Sequence, residues 1–158
     1  MLQPFFEWLG ASSMANVIGN SPLIYPVVQS FHLVFLSLLV GGLLMVDLRL
    51  LGFGLTSQPM AKVARDARPW VLWGLLGMLV TGVPQLVQNA MKEYYSEFFW
   101  FKMKVLPVAL VFHFTLRHWV TMAAEGRVPP LMSKLTGLVS VVLWAAVAVS
   151  SRFIGLFS

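Results

Sequence analysis

Three stretches of this sequence, residues 23–46, 69–91 and 135–151, contain no Asp, Glu, Lys or Arg. Each approaches or exceeds the ~20 apolar residues that a helix needs to cross a bilayer. A further stretch, residues 98–122, is apolar but carries Lys102, Lys104 and Arg117, and only residues 105–116 within it are free of Lys and Arg. It can still cross if its cations snorkel to the interfaces and its remaining polar groups face other helices or a cofactor. Four crossings leave no room for a separate soluble domain in 158 residues. Only 11% of the residues are charged and 58% are hydrophobic, too little polar surface for a water-facing globule. An ordinary cytosolic enzyme is therefore excluded.

Local signals place the ends of these segments. Asn20, Ser21 and Pro22 form a helix start, where a side chain caps free backbone amides and proline loses no hydrogen bond. Asp47, Arg49 and the glycines of Leu51-Gly52-Phe53-Gly54 mark the end of the first crossing. Gly74, Gly77 and Gly82 allow close approach of a neighbour to the second, and Ala145, Ala146, Ala148, Ser150 and Ser151 do so for the fourth. Ahead of them, Leu2, Phe5, Phe6, Leu9, Met14, Val17 and Ile18 follow a rough helical stripe over residues 1–19, which predicts an amphipathic helix in the membrane interface. That segment lacks a signal peptide's positive start and cleavage site, so it is expected in the mature protein. The predicted fold is all-α: one membrane domain, a four-helix bundle with spans near 22–48, 69–90, 98–122 and 135–157, preceded by the interfacial helix.

The net charge of +5 does not point to nucleic acid, because Lys and Arg form no basic run. Their distribution speaks to topology instead. Arg49, Lys62, Arg65, Arg68, Arg117, Arg127 and Lys134 fall at one end of the bundle, against Lys92, Lys102, Lys104 and Arg152 at the other. Cations resist translocation, which predicts the first end in the cytoplasm of a bacterial inner membrane and both termini in the periplasm.

Chemistry has few residues to work with, and ionisable groups at membrane depth are functional candidates. The sequence has no Cys, which removes disulfides, thiolate metal sites and covalent haem attachment. His32 lies ~15 Å into the first helix and His113 ~22 Å into the third, at 1.5 Å per residue. These helices run in the same direction, so the two imidazoles can ligate one haem b iron from opposite sides if tilt absorbs the ~7 Å difference in depth. Each also has a plainer role, as a hydrogen-bonded packing residue. His118, five residues after His113, points ~140° away from it on an α-helix, which predicts that the two do not share a site. Pairing at the polar end with Arg117 near Asp47 is the plainer role for His118.

Lys102 falls within ~20° of the face of His113 and is the first candidate for a haem propionate, with Arg152 the second. Gln29, His32, Gln85, Lys102 and Arg152 form an outer polar cluster suited to propionates, a quinone head group or interfacial solvent. Met78 is a conceivable axial ligand in place of His113, although Met at such a position usually packs. With Asp47 the only acid near a span, a carboxylate proton pump has little to work with.

The residues Ser21-Pro22, Tyr25-Pro26, His32, Gly41 and Asp47-Leu48-Arg49-Leu50-Leu51-Gly52, followed by Pro69-Trp70, Gly74, Thr81-Gly82 and Phe101-Lys102, resemble a bacterial family of small four-helix integral membrane proteins without an assigned function, cytochrome b-like in appearance. That family places a polar residue and then a histidine five positions apart late in the third helix. His113 and His118 match these positions, so the resemblance implies a site role for His118 as well. The expected function is a haem b protein passing electrons between membrane quinol and a periplasmic redox partner, with iron held by His32 and either His113 or His118. The alternative is a cofactor-free anchor or assembly subunit of a larger complex. A small carrier, which would have to form a homo-oligomer to enclose a path, is disfavoured by the near absence of buried acids.

Overall fold

A computed structural model describes residues 1–123 and 126–157, and among these every regular element is helical. Four helices are long and apolar enough to cross a membrane: α3 (Ile24–Leu51), α4 (Met60–Gln88), the composite Glu97–Met122, and α8 (Pro130–Phe157). The third is composite because α6 (Glu97–Phe112) passes through a π turn (His113–Arg117) into α7 (His118–Met122). Its mean hydropathy of 1.4 is the lowest of the four, consistent with the cations it carries. Crossing α3 packs along α4 on one side and α8 on the other; α6 leans on α8, and α7 closes against α4. The chain is a multi-pass membrane protein with bundle-like packing, and α3 and α6 stand diagonally.

Glycine sets the tightest contact. A Cβ on Gly74 would fall 2.6 Å from the Leu39 backbone nitrogen, and one on Gly77 would fall into the Phe35 ring. Lacking side chains there, α4 seats directly on α3, the close approach that replaces the hydrophobic effect as a source of helix association in lipid. Leu39, Leu43 and Val71 fill the middle of this seam, with Met78 and Trp144 packed against them. Met78 is thus a packing residue.

Several boundaries differ from the sequence expectation. Helix α3 starts at Ile24 with no side-chain cap, so neither Asn20 nor Ser21 caps it. It ends at Gly52, whose φ of 84° is left-handed, with Phe53 N–H bonded to Leu48 O at 2.9 Å, a glycine stop. Asp47 and Arg49 do not end it; Asp47 sits inside the helix and is 1% exposed. Helix α4 begins at Met60, nine residues before Pro69. Its first turns bury Val63, Ala64 and Ala67 while exposing Lys62, Arg65, Asp66 and Arg68. A charge-free window finds the membrane-embedded part of such a helix, not its start. Likewise α8 begins at Pro130, ahead of Lys134.

The N-terminal segment is two helices, α1 (Gln3–Gly10) and α2 (Ser13–Asn20), because Ser12 Oγ accepts from Ala15 N–H and caps a new start. Phe6 is buried against Tyr94, Phe99 and Trp100 around the short helix α5 (Ala90–Tyr94), and α2 rests on α4. The segment is docked on the bundle end, with Leu2, Phe5, Trp8, Met14 and Val17 left exposed.

Candidate functional site

The least expected feature of an apolar bundle is a fully buried charge, and here it has every partner it needs. Arg117, in the π turn, reaches Asp47 on α3: Nε donates to Oδ1 at 3.0 Å and Nη2 lies 2.9 Å from the same oxygen. Ser140 Oγ on α8 donates to Asp47 Oδ2 at 2.8 Å. Arg117 Nη2 also donates to Leu43 O at 3.2 Å, and Nη1 donates to His113 Nδ1 at 3.2 Å. One carboxylate and one guanidinium thus tie three crossings together. The expected pairing near Asp47 is met by Arg117 alone; the His118 side chain is exposed and takes no part. Ser140 carried no sequence signal beyond helix packing, although a lone acid in an apolar helix demands a donor.

The π turn alters which side chains share a face. Its hydrogen bonds run from i to i+5, one residue more than in an α-helix, and such turns are frequent at functional sites. Thr115 Oγ1, which back-bonds to Val111 O at 2.5 Å, competes for the carbonyls of the preceding turn. Residues five apart fall near one face, so His113 and His118 both line a cleft of about 180 Å³. The expectation that they cannot share a site rested on α-helical periodicity, and the π turn overturns it. Arg68, Arg117 and Thr121 supply the rest of its polar lining, and no Asp or Glu lines it among the described residues. Leu72 and Phe114, both exposed within membrane crossings, border it.

His32 lies elsewhere. Its Nδ1 is 2.7 Å from Thr81 Oγ1, and Cε1 is the nearest atom to the space beside Gly82. Gln85 Nε2 donates to Thr81 O, and Asn89 Nδ2 to the Tyr25 hydroxyl. Lys102 is within electrostatic reach of His32 and of Glu93. Outside the crossings, burial pushes the Glu93 carboxyl above its ordinary range, against the pull of Lys102 and Lys92. Of the expected outer cluster, His32, Gln85 and Lys102 do lie at one end. Arg152 is exposed with no ion pair to a described residue, and Gln29 is half-buried without a side-chain hydrogen bond to one.

The neighbours of each histidine fix its proton. Thr81 spends its only hydroxyl proton on Gly77 O at 2.6 Å, so it must accept from His32, whose proton is on Nδ1. His32 Nε2 therefore carries a lone pair, the form a metal-ligating histidine takes. Arginine only donates, so His113 Nδ1 must accept, and the neutral ring carries its proton on Nε2. His113 in this form cannot give Nε2 to iron. The two rings share no hydrogen bond, no ring contact and no cleft; the structure does not assemble His32 and His113 into one axial pair. Among the described residues no group of three His, Asp or Glu suits a metal ion.

Residues 5–158 match DUF6644, a family of unknown function. No curated protein and no solved structure matches the chain.

Proposed function

The chain belongs to DUF6644, and from the geometry of its own residues we propose that it binds the carbonyl head group of a membrane quinone in the cleft shared by His113 and His118. The observation that carries this reading is the lining: Arg68, His113 and His118 border one cleft with no carboxylate among its described lining residues, beside apolar residues exposed within the crossings. Such a cleft suits an amphiphile that enters from the bilayer with oxygen acceptors at its head. Its volume of about 180 Å³ is suited to a single ring, since an apolar cavity of ~150 Å³ holds benzene; the tail stays in lipid. In this role the protein serves electron transport by holding quinone for a redox partner. The bias of Lys and Arg puts this end on the cytoplasmic side of a bacterial inner membrane.

The test is binding of a short-chain benzoquinone to the protein in lipid nanodiscs, followed by quenching of tryptophan fluorescence. Trp144 stands 6.3 Å from His113, ring to ring, and reports on the cleft. Saturable quenching that weakens at least tenfold in His118→Ala and Arg68→Ala supports the reading. Quenching unchanged by both substitutions defeats it.

A second reading rests on His32, whose free Nε2 lone pair suits an axial ligand of haem b. Protein purified from a haem-replete host is expected to show a stoichiometric Soret band that shifts on dithionite reduction and disappears in His32→Ala. Absence of the band removes this reading and leaves the quinone reading standing.

A further inference from the structure

We propose that Arg117 acts as a positioning residue that makes His113 an obligate hydrogen-bond donor, so that the cleft takes an oxygen acceptor at that position and rejects a group that can only donate. This deepens the quinone reading and rests on it for the identity of the ligand, while the state of His113 stands on geometry alone.

Arg117 cannot turn away from His113. Its Nε and Nη2 are held by Asp47 Oδ1, Nη2 also by Leu43 O, and Asp47 is itself fixed by Ser140. The guanidinium is planar and always charged, with no acceptor to offer. Once two of its nitrogens are fixed, the position of Nη1 follows, and it falls 3.2 Å from His113 Nδ1. A neutral imidazole has one proton, and Nδ1 is occupied as an acceptor, so Nε2 carries that proton. His113 Nε2 has no hydrogen bond to a described residue, yet among the described residues the buried unpartnered side-chain atoms are Ser96 Oγ and Trp144 Nε1. Nε2 is therefore reachable, and His113 lines the cleft. A carbonyl oxygen placed against it is satisfied. An ammonium, which can only donate, meets another donor there, and leaving a polar hydrogen unpaired is costly in a confined site.

The experiment is ¹⁵N NMR of protein labelled at histidine nitrogens, in nanodiscs, with His113 assigned by comparison with His113→Gln. Expected is a neutral ring protonated at Nε2. Protonation at Nδ1, or an even mixture, overturns the proposal whatever the ligand. Because removing Arg117 alone strands Asp47, the comparison variant is Asp47→Asn with Arg117→Met, which leaves no buried charge unpaired. There the tautomers are expected to mix. A His113 ring that stays protonated at Nε2 alone in the double variant overturns the role of Arg117. If His113 is protonated at Nε2 and neither quinone nor quinol binds the wild type, the quinone reading falls while the arginine's hold on His113 stands.

Discussion

Arg117 and Asp47 lie seventy residues apart in sequence and meet at 2.9 Å in the bundle interior, 5% and 2% exposed at their side chains. Their contact joins the third crossing to the first. A buried ion pair of this kind adds little net stability over an apolar pair of the same shape, yet removing one partner leaves an uncompensated charge. The pair also serves the cleft, since it is what aims Arg117 at His113.

Asp47→Ala is accordingly expected to destabilise the protein in detergent by about 3–5 kcal/mol, the scale for stranding one member of a buried pair. Asp47→Asn with Arg117→Met is expected to recover most of that loss. Urea or heat unfolding followed by circular dichroism reads both. A single variant as stable as wild type would show that the pair is not buried as described.

Glycine in α4 divides into two kinds. Gly74→Ala places a methyl against the Leu39 backbone, which cannot move aside, whereas Gly82→Ala meets only His32 Cε1 at 3.7 Å, an ordinary contact. Gly74→Ala is expected to cost about 1–3 kcal/mol, the range for overpacking, and Gly82→Ala close to nothing. Thermal melts of the two variants side by side separate them.

Thr81→Val keeps the shape of the side chain and removes the acceptor for His32 Nδ1–H. The expected cost is about 1–3 kcal/mol for a donor left unpaired. The ¹⁵N spectrum should show His32 no longer confined to the Nδ1-protonated form, and an unchanged His32 signal would contradict the assignment.

Glu93 supplies a pH test outside the membrane. Its folded-state pKa is raised above the ordinary value of 4.5 by burial, which outweighs the attraction of Lys102 and Lys92. Folding therefore favours the protonated form. This contribution to stability is fully present below pH 4.5 and is lost as pH rises through the folded value. Glu93→Gln, which mimics the protonated form, is expected to melt slightly higher than wild type at pH 7. The difference should close as the pH falls below the ordinary glutamate range.

Composition and the spacing of charge determined that this chain crosses a membrane four times, because in lipid only a continuous helix satisfies every backbone group. The glycine stop at Gly52 and the glycine seam of α4 were also legible, since each follows from local geometry, whereas Arg117 was expected near Asp47 only at the polar end of the bundle and not as its buried partner. The short list of histidines was legible because an ionisable group at membrane depth is costly. Their grouping was not. Helical periodicity of 3.6 residues separates His113 from His118, and a π turn, visible only once residues 113–117 are folded against α3 and α8, restores them to one cleft. Nor does sequence show that Ser140 completes the carboxylate or that Thr81 accepts from His32, because those contacts join helices whose relative rotation is set by packing. The protonated nitrogen of each histidine is decided last, by which neighbour can only donate and which has already spent its proton.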